Sequence, residues 1–333
     1  GLSPTYEQTH VVSGLLTLVS LYNHNTDRME YLIMAFDGIT ISNIVNDLNN
    51  TILGGRLYKI AQPESDELLL TVKTSSGQYR VVLSANASLP LAYITDDNKP
   101  SPATAPNFVM LLRKHINNGR IISVTQPSLE RIIDIEIEHL DELGDLCKRH
   151  LITEFMGKHS NIILCDDDNN ILDSIKHVSA QISSVREVLP GRKYFIPNTA
   201  NKHNPLDTDY ERFSSSVLVC PKPLSKALCQ TYTGISTCIA EEVCFRSGID
   251  SNKPANCLSD EESRLIYNAF DGIMSDVKSK TYSPNIVYYN GNPSDFAAVQ
   301  LTMYDNSTPY DSISRCLIAY YHEKEVRTRI HQK

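Results

Sequence analysis

Between positions 38 and 53, apolar residues recur at Ile41, Ile44, Val45, Leu48 and Ile52, the spacing of one helical face. Asp37 stands where that helix needs an N-cap, and Gly54-Gly55 supplies its stop. The period then shortens. Residues 56–62, 67–73 and 78–84 read as strands, the last two joined by a Ser-Ser-Gly turn. A proline-rich connection (Pro100, Pro102, Pro106) leads to a helix over 107–116, closed by Asn117-Asn118-Gly119. Strands follow over 120–126, 129–138, 148–155, 161–165 and 171–178, with turns at Leu143-Gly144 and 166–170.

Residues 197–208 form a Pro/Asn-rich linker, beyond which 223–231, 237–247 and 260–278 carry helical patterns. Two more strands (285–289 and 297–301) precede a terminal helix from about Tyr310. The pattern predicts an α+β chain: an antiparallel β-sandwich or flattened barrel with flanking helices, then a helical module. We divide it into a sandwich domain over 34–200, a helical hairpin module over 201–280 and a two-stranded return over 281–309. The helix over 310–333 reads as the start of something longer. Residues 1–33 show no period of their own and are set aside as an upstream extension.

Composition narrows the classes. No stretch of the 333 residues approaches the ~18 uninterrupted apolar positions of a membrane-spanning helix. Thirty-one Lys and Arg against 39 Asp and Glu leave a net charge of −8, a mean field that repels phosphate. Any nucleic-acid contact must therefore be local, and 111–131 is locally basic, with Arg113, Lys114, Arg120 and Arg131 against Glu130. Among the eight cysteines there is no Cys-x-x-Cys pair, and the apolar run from Val11 to Tyr22 reads as a poor signal peptide because it is interrupted and lacks a basic flank. They read as reduced thiols in a cytoplasmic protein.

Catalytic signatures are missing. The ten histidines form no His-Glu-x-x-His, and neither Gly-x-Ser-x-Gly nor a Walker glycine loop occurs. Asp166-Asp167-Asp168-Asn169-Asn170 lacks the glycine and closing Glu of a calcium loop and reads as a hairpin turn. We expect no enzyme activity, no cofactor and no metal.

Two features point elsewhere. Thr233-Gly234-Ile235-Ser236 between helical patterns outlines either a helix-hairpin-helix, whose turn would offer backbone N–H groups to phosphate, or an ordinary αα-corner. Along 129–138, Leu129, Arg131, Ile133, Ile135 and Ile137 share one face, so Arg131 falls on the apolar parity. An unpaired guanidinium is costly there. Arg131 is expected either at the sandwich rim or against a carboxylate, for which Asp37 is the candidate. Further cations at Arg56, Lys59, Arg113, Lys114, Arg120, Lys158 and Arg192 would make a phosphate track if they converged.

Met34-Ala35-Phe36-Asp37-Gly38 and Gly55-Arg56-Leu57-Tyr58-Lys59-Ile60 with Gln62-Pro63-Glu64 carry a family resemblance. It continues through Leu83-Ser84-Ala85-Asn86, Met110-Leu111-Leu112-Arg113-Lys114-His115 and Gly119-Arg120-Ile121. Met156-Gly157-Lys158-His159-Ser160-Asn161, Ser174-Ile175-Lys176-His177-Val178 and Leu189-Pro190-Gly191-Arg192 complete it. Over about 34–333 the chain resembles the NFACT proteins, the RqcH/NEMF type of ribosome quality-control factor, long labelled fibronectin-binding protein A.

The resemblance implies a non-enzymatic RNA-binding factor that meets the large ribosomal subunit (rRNA) holding a stalled peptidyl-tRNA. Such factors recruit tRNA, alanyl-tRNA in bacterial members, for template-free C-terminal tailing. The resemblance also implies a fold similar to the formamidopyrimidine-DNA glycosylase N-terminal domain, followed by a helix-hairpin-helix and a coiled coil. That glycosylase's catalytic N-terminal Pro has no counterpart at Ala35, so no DNA chemistry is expected. The tRNA-recruiting positions of the family fall on Asp37, Glu130 (usually Asp) and Arg131, with Arg56, Lys59, Arg113, Lys114, Arg120, Lys158, His159, Arg192 and Gly234 as further RNA contacts. Fibronectin is the alternative partner implied by the older label.

Overall fold

The computed structural model describes residues 36–198 and 201–331, so the expectation for 1–33 and the Met34-Ala35 pair lie outside the described residues. Helix α1 (Gly38–Thr51) forms on the predicted stripe, burying Ile41, Ile44 and Leu48. Asp37 caps it by accepting from the Thr40 N–H at 2.9 Å, a bond worth about 1 kcal/mol.

Nine strands build one antiparallel sheet. They are β1 (Arg56–Glu64), β2 (Glu67–Thr74), β3 (Gly77–Ala85), β4 (Pro90–Thr95), β5 (Arg120–Thr125), β6 (Ile132–Leu140), β7 (Leu146–Glu154), β8 (Asn161–Asp166) and β9 (Ile171–Ser174). The order β4-β3-β2-β1-β5-β6-β7-β8-β9 is two meanders joined at a seam, where Arg56 and Arg120 form the one register pair. The halves fold face to face about that seam, bringing β3 against β7 and β8. Alternation then fills the space between them: Ile60, Leu68, Leu70, Val72, Val81 and Leu83 meet Ile133, Ile135, Ile137, Leu151, Ile162 and Leu164. Helix α2 (Asn107–Ile116) connects the halves and buries Phe108, Val109, Leu112 and Ile116 in the same core.

The sheet departs from the sequence reading chiefly in three places. β6 starts at Ile132 rather than 129, because a turn intervenes: the Glu130 N–H reaches the Pro127 carbonyl at 3.0 Å, with Ser128 at φ 52°. β4 lies at the sheet edge, where Pro90 is tolerated, and its buried Pro90, Leu91 and Ala92 break the alternation that would have revealed it. β9 ends at Ser174, and the chain beyond it covers the outer face of β6–β9. Val188, Tyr194 and Ile196 there shield Ile132, Ile152, Ile163, Cys165 and Ile171. This cover is pinned by the buried Glu154, which pairs with Arg186 and accepts from the Tyr194 hydroxyl at 2.9 Å.

The helical part comprises α3 (Tyr210–Ser216), α4 (Leu224–Thr231), α5 (Thr237–Ser247) and α6 (Asp260–Lys278). The seven residues of α3 are too few to show a period, which is why the sequence reading passed over it. Tyr232 stacks on Phe270 with ring centroids 4.8 Å apart, and Phe213 joins them. These rings belong to the same buried cluster as the sandwich interior. The return segment has three strands, not two: β10 (Asn285–Tyr289), β11 (Asn292–Ala297) and β12 (Ser307–Pro309), in the order β11-β10-β12. Residues 298–301 are irregular, with Ala298, Val299 and Leu301 buried, and Asn285 reaches into them, its Nδ2 donating to the Val299 carbonyl at 2.8 Å. Helix α7 (Ile313–His331) packs Ile313, Cys316, Leu317 and Tyr320 into the core, and its Ser314 hydroxyl accepts from the Ile94 N–H of β4.

On the outer face, His150 of β7 lies between two carboxylates. Its Nδ1 is 3.0 Å from Asp134 and its Nε2 3.3 Å from Asp167 of the acidic turn. The Asp134 hydrogen bond is the largest cause raising the imidazole from 6.5 to about 9, against a smaller opposing effect of burial. Folding raises its proton affinity, so the stability it adds is present below pH ~6.5 and is lost as pH climbs through about 9. An NMR titration is expected to place the His150 midpoint near 9, and Asp134→Asn to return it towards 6.5. A native midpoint at or below 6.5 would contradict the clamp.

Candidate nucleic-acid interface

Three backbone segments converge beside the rim of the sandwich: the start of α1, the turn before α5 and the turn before β6. The Gly38 N–H donates to the Gly234 carbonyl at 3.0 Å. A Cβ on either glycine would stand 2.2 Å from the Leu129 carbonyl oxygen, and Gly234 also adopts φ +77°. Only glycine fits both positions. Gln126 bridges the same segments, its Nε2 donating to the carbonyls of Gly38 (2.8 Å) and Glu130 (2.9 Å).

Asp37 closes the junction. One carboxylate oxygen accepts from the Thr40 N–H, and the other from the Ser236 hydroxyl at 2.7 Å. Ser236 in turn caps α5, accepting from the Ile239 N–H. Burial pushes the Asp37 carboxyl upward, opposed by the hydrogen bonds from Thr40 and Ser236. The sequence reading identified the cap at Asp37 and the Ser at the start of α5. It missed their contact, along with Gln126 and the requirement for Gly38.

Arg131 leaves this junction at the mouth of β6, its carbonyl accepting from the Phe155 N–H at 2.9 Å. Its side chain is half-buried at the rim, and the expected direct ion pair with Asp37 does not form; the two Asp37 oxygens accept from the Thr40 N–H and the Ser236 hydroxyl instead. Among the described residues no carboxylate lies within ion-pair distance of the guanidinium. Burial lowers its proton affinity, and the charges of Asp37 and Glu130 act against that through space. Glu130 is pushed up by burial, opposed by Arg131 and Lys202. Lys202, from the segment read as a linker, is thus a cation of this site that the sequence reading did not single out. The product is a half-buried cation whose backbone is fixed by the sheet and whose guanidinium has no ion-pair partner among the described residues.

The remaining cations divide. Lys158 and His159 lie exposed in a 3-10 turn (Gly157–His159) just past Phe155, at the same end of the sheet as Arg131. Arg120 faces Glu138, seven residues along β6 from Arg131, or about 23 Å at ~3.3 Å per residue. Arg56 lies beside Arg120, and Lys59 is three residues further along β1. Arg113 donates to the Ile60 carbonyl, while Lys114 pairs with Glu142 of the β6–β7 hairpin. Arg192 is held by Glu187 at 2.7 Å. There is therefore no single track, but one cluster at each end of β6. Glu136, His150 and Asp167 bring ligand atoms within 4.8 Å of one another; His150 and Asp167 belong to the clamp, and Glu136 accepts from the Ser123 hydroxyl and pairs with Lys148.

A family model described as NFACT N-terminal and middle domains matches residues 37–333. Among curated relatives, the Rqc2 homolog RqcH of Bacillus subtilis is 33% identical over 302 residues, covering 90% of this chain and 51% of that protein. The human ribosome quality control complex subunit NEMF is 22% identical over 218 residues, covering 65% and 19%. Among solved structures, the fibrinogen binding protein from Staphylococcus aureus superposes with a TM-score of 0.74 at 28% identity, covering 86% of this chain and 99% of that one. The chain spans about half the length of the B. subtilis relative.

The glycine junction yields a direct comparison. Gly234→Ala meets both a positive φ and a backbone oxygen, and is expected to cost about 3 kcal/mol. Gly248→Ala, at φ +73° with nothing within 4 Å, should cost only about 1 kcal/mol. Chemical denaturation of both variants measures the difference, and equal losses would contradict the close approach.

Proposed function

The chain belongs to the NFACT family, and on that premise we propose that it serves in ribosome quality control as a tRNA-recruiting module. In this reading it engages the large ribosomal subunit holding a stalled peptidyl-tRNA and delivers charged tRNA, alanyl-tRNA if it follows its bacterial relatives, for template-free tailing. Bond formation belongs to the ribosome, so the chain itself needs no nucleophile or cofactor, and it works in the cytoplasm.

One observation carries the reading: Arg131 is held at a rigid three-way backbone junction with its charge unpaired among the described residues. A structural arginine in that position would be met by a carboxylate, and Asp37 is close enough to influence it, yet it bonds Ser236 instead. Guanidinium groups suit phosphate and base edges through their planar array of donors. Lys158, His159 and Lys202 lie at the same end of the sheet or act on the same site, and supply local positive charge on an anionic body.

A second reading, adhesion to a matrix protein, is favoured by the name of the S. aureus relative, a fibrinogen binding protein of the same fold. The two separate in one set of titrations. Filter binding with tRNA is expected to show affinity that falls with salt, and Arg131→Gln to weaken it by about 2 kcal/mol, roughly thirtyfold. The thermal midpoint should hold, since the side chain makes no ion pair. Saturable fibrinogen binding without tRNA binding would favour adhesion.

A further inference from the structure

The register at the seam places three cations side by side. Lys73 of β2, Arg56 of β1 and Arg120 of β5 are successive cross-strand partners, so their side chains leave the same face at the ~4.8 Å spacing of neighbouring strands. All three are exposed, and among the described residues none lies in an ion pair. Like charges directly opposite one another destabilise a sheet, so a row of three cations is not an arrangement that strand pairing favours.

Local backbone geometry enlarges the row. A register shift between Leu57 and Lys59 marks a bulge in β1, and it leaves Tyr58 and Lys59 both exposed. The Lys73 ammonium lies 3.3 Å from the centroid of the Tyr58 ring, covering one side of it. The Arg56 guanidinium is steadied by the Asn118 carbonyl at 3.1 Å. Glu138 is in register with Arg120 but lies outside ion-pair distance of it, and Lys148, its other cross-strand partner, pairs with Glu136.

We propose that Lys73, Arg56 and Arg120, with Lys59 and Tyr58 from the bulge, form a second RNA contact. The cations take the phosphodiester backbone, and Tyr58 offers a ring to an unpaired base. The inference rests on the RNA reading above and extends it to a surface some seven strand residues from Arg131, at the opposite end of β6. Sheet hydrogen bonding fixes where these side chains leave the backbone, and Arg56 and Lys73 are further held by Asn118 and Tyr58, which limits the ordering that binding requires. Cations with interleaved aromatics are how sheet surfaces hold single-stranded RNA without reading its sequence.

The test uses the full chain, tRNA and an unstructured RNA of equal length, titrated across salt concentrations. The triple variant Arg56→Gln, Lys73→Gln, Arg120→Gln should lower the salt slope by about 2, at roughly 0.7–0.9 per phosphate contact. Affinity should fall at least tenfold for both RNAs. Its thermal midpoint should change little, because relief of like-charge repulsion offsets the loss of the Lys73–Tyr58 and Arg56–Asn118 contacts. Tyr58→Ala, which leaves every charge in place, should weaken the unstructured RNA about tenfold and tRNA less. If both variants keep wild-type slope and affinity while Arg131→Gln still loses tRNA, the second contact is refuted and the RNA reading stands. If the unmodified chain binds neither RNA, the RNA reading falls and takes the second contact with it.

Discussion

The approach of Gly38, Gly234 and Leu129 governs the rest of this molecule. At that point the backbone of the first helix, of the helical module and of the β6 approach lie too close for any side chain. Such contact excludes water, so the polar groups around it must satisfy one another. Asp37, Ser236, the Thr40 N–H and Gln126 do so with short hydrogen bonds, while the buried Ser128 hydroxyl of the same turn finds no partner. Arg131, two residues beyond Leu129, inherits its position from this arrangement. A rigid support and an unpaired charge thus come from one packing decision.

Elsewhere the fold meets the problem of irregular backbone with buried polar side chains. Glu154 holds the cover over the outer sheet through Arg186 and Tyr194. Glu242, inside α5, accepts from the Thr302 and Met303 N–H groups and pairs with Arg246 at 3.0 Å. Asn285 does the same for 298–301. Each is buried and each is fully engaged, which is the condition under which such groups are tolerated in a core. Together they tie loops to helices and strands, and the sandwich and helical module share one continuous interior.

How much of this could be read in advance depended on range. Local patterns identified α1 and its Asp37 cap, the bounds of α2, α5 and α6, and the inward parity of Ile133, Ile135 and Ile137. They failed where an element was short, as at α3 and β12, or where an edge strand lacked alternation, as at β4. The start of β6 was misplaced because Ser128 adopts a positive φ that nothing in its neighbours announces. The site was half legible. Asp37 and Arg131 stood out by cap and parity, but the serine that takes the aspartate lies 199 positions away. Cations that looked equivalent in the sequence belong to opposite ends of one strand, a distinction only register reveals.

That separation of 199 positions also orders events in time. Hairpins such as β2–β3 and β6–β7 close short loops and can form as soon as their residues are available. The junction cannot, because closing so long a loop carries an entropic cost that other contacts must first offset. A chain still emerging from its own ribosome, with everything up to β9 already exposed, would hold the arginine but not the serine and glycine that set it. The setting of Arg131 is therefore completed late, after the helical module has docked and Gly234 and Ser236 have reached the start of the first helix.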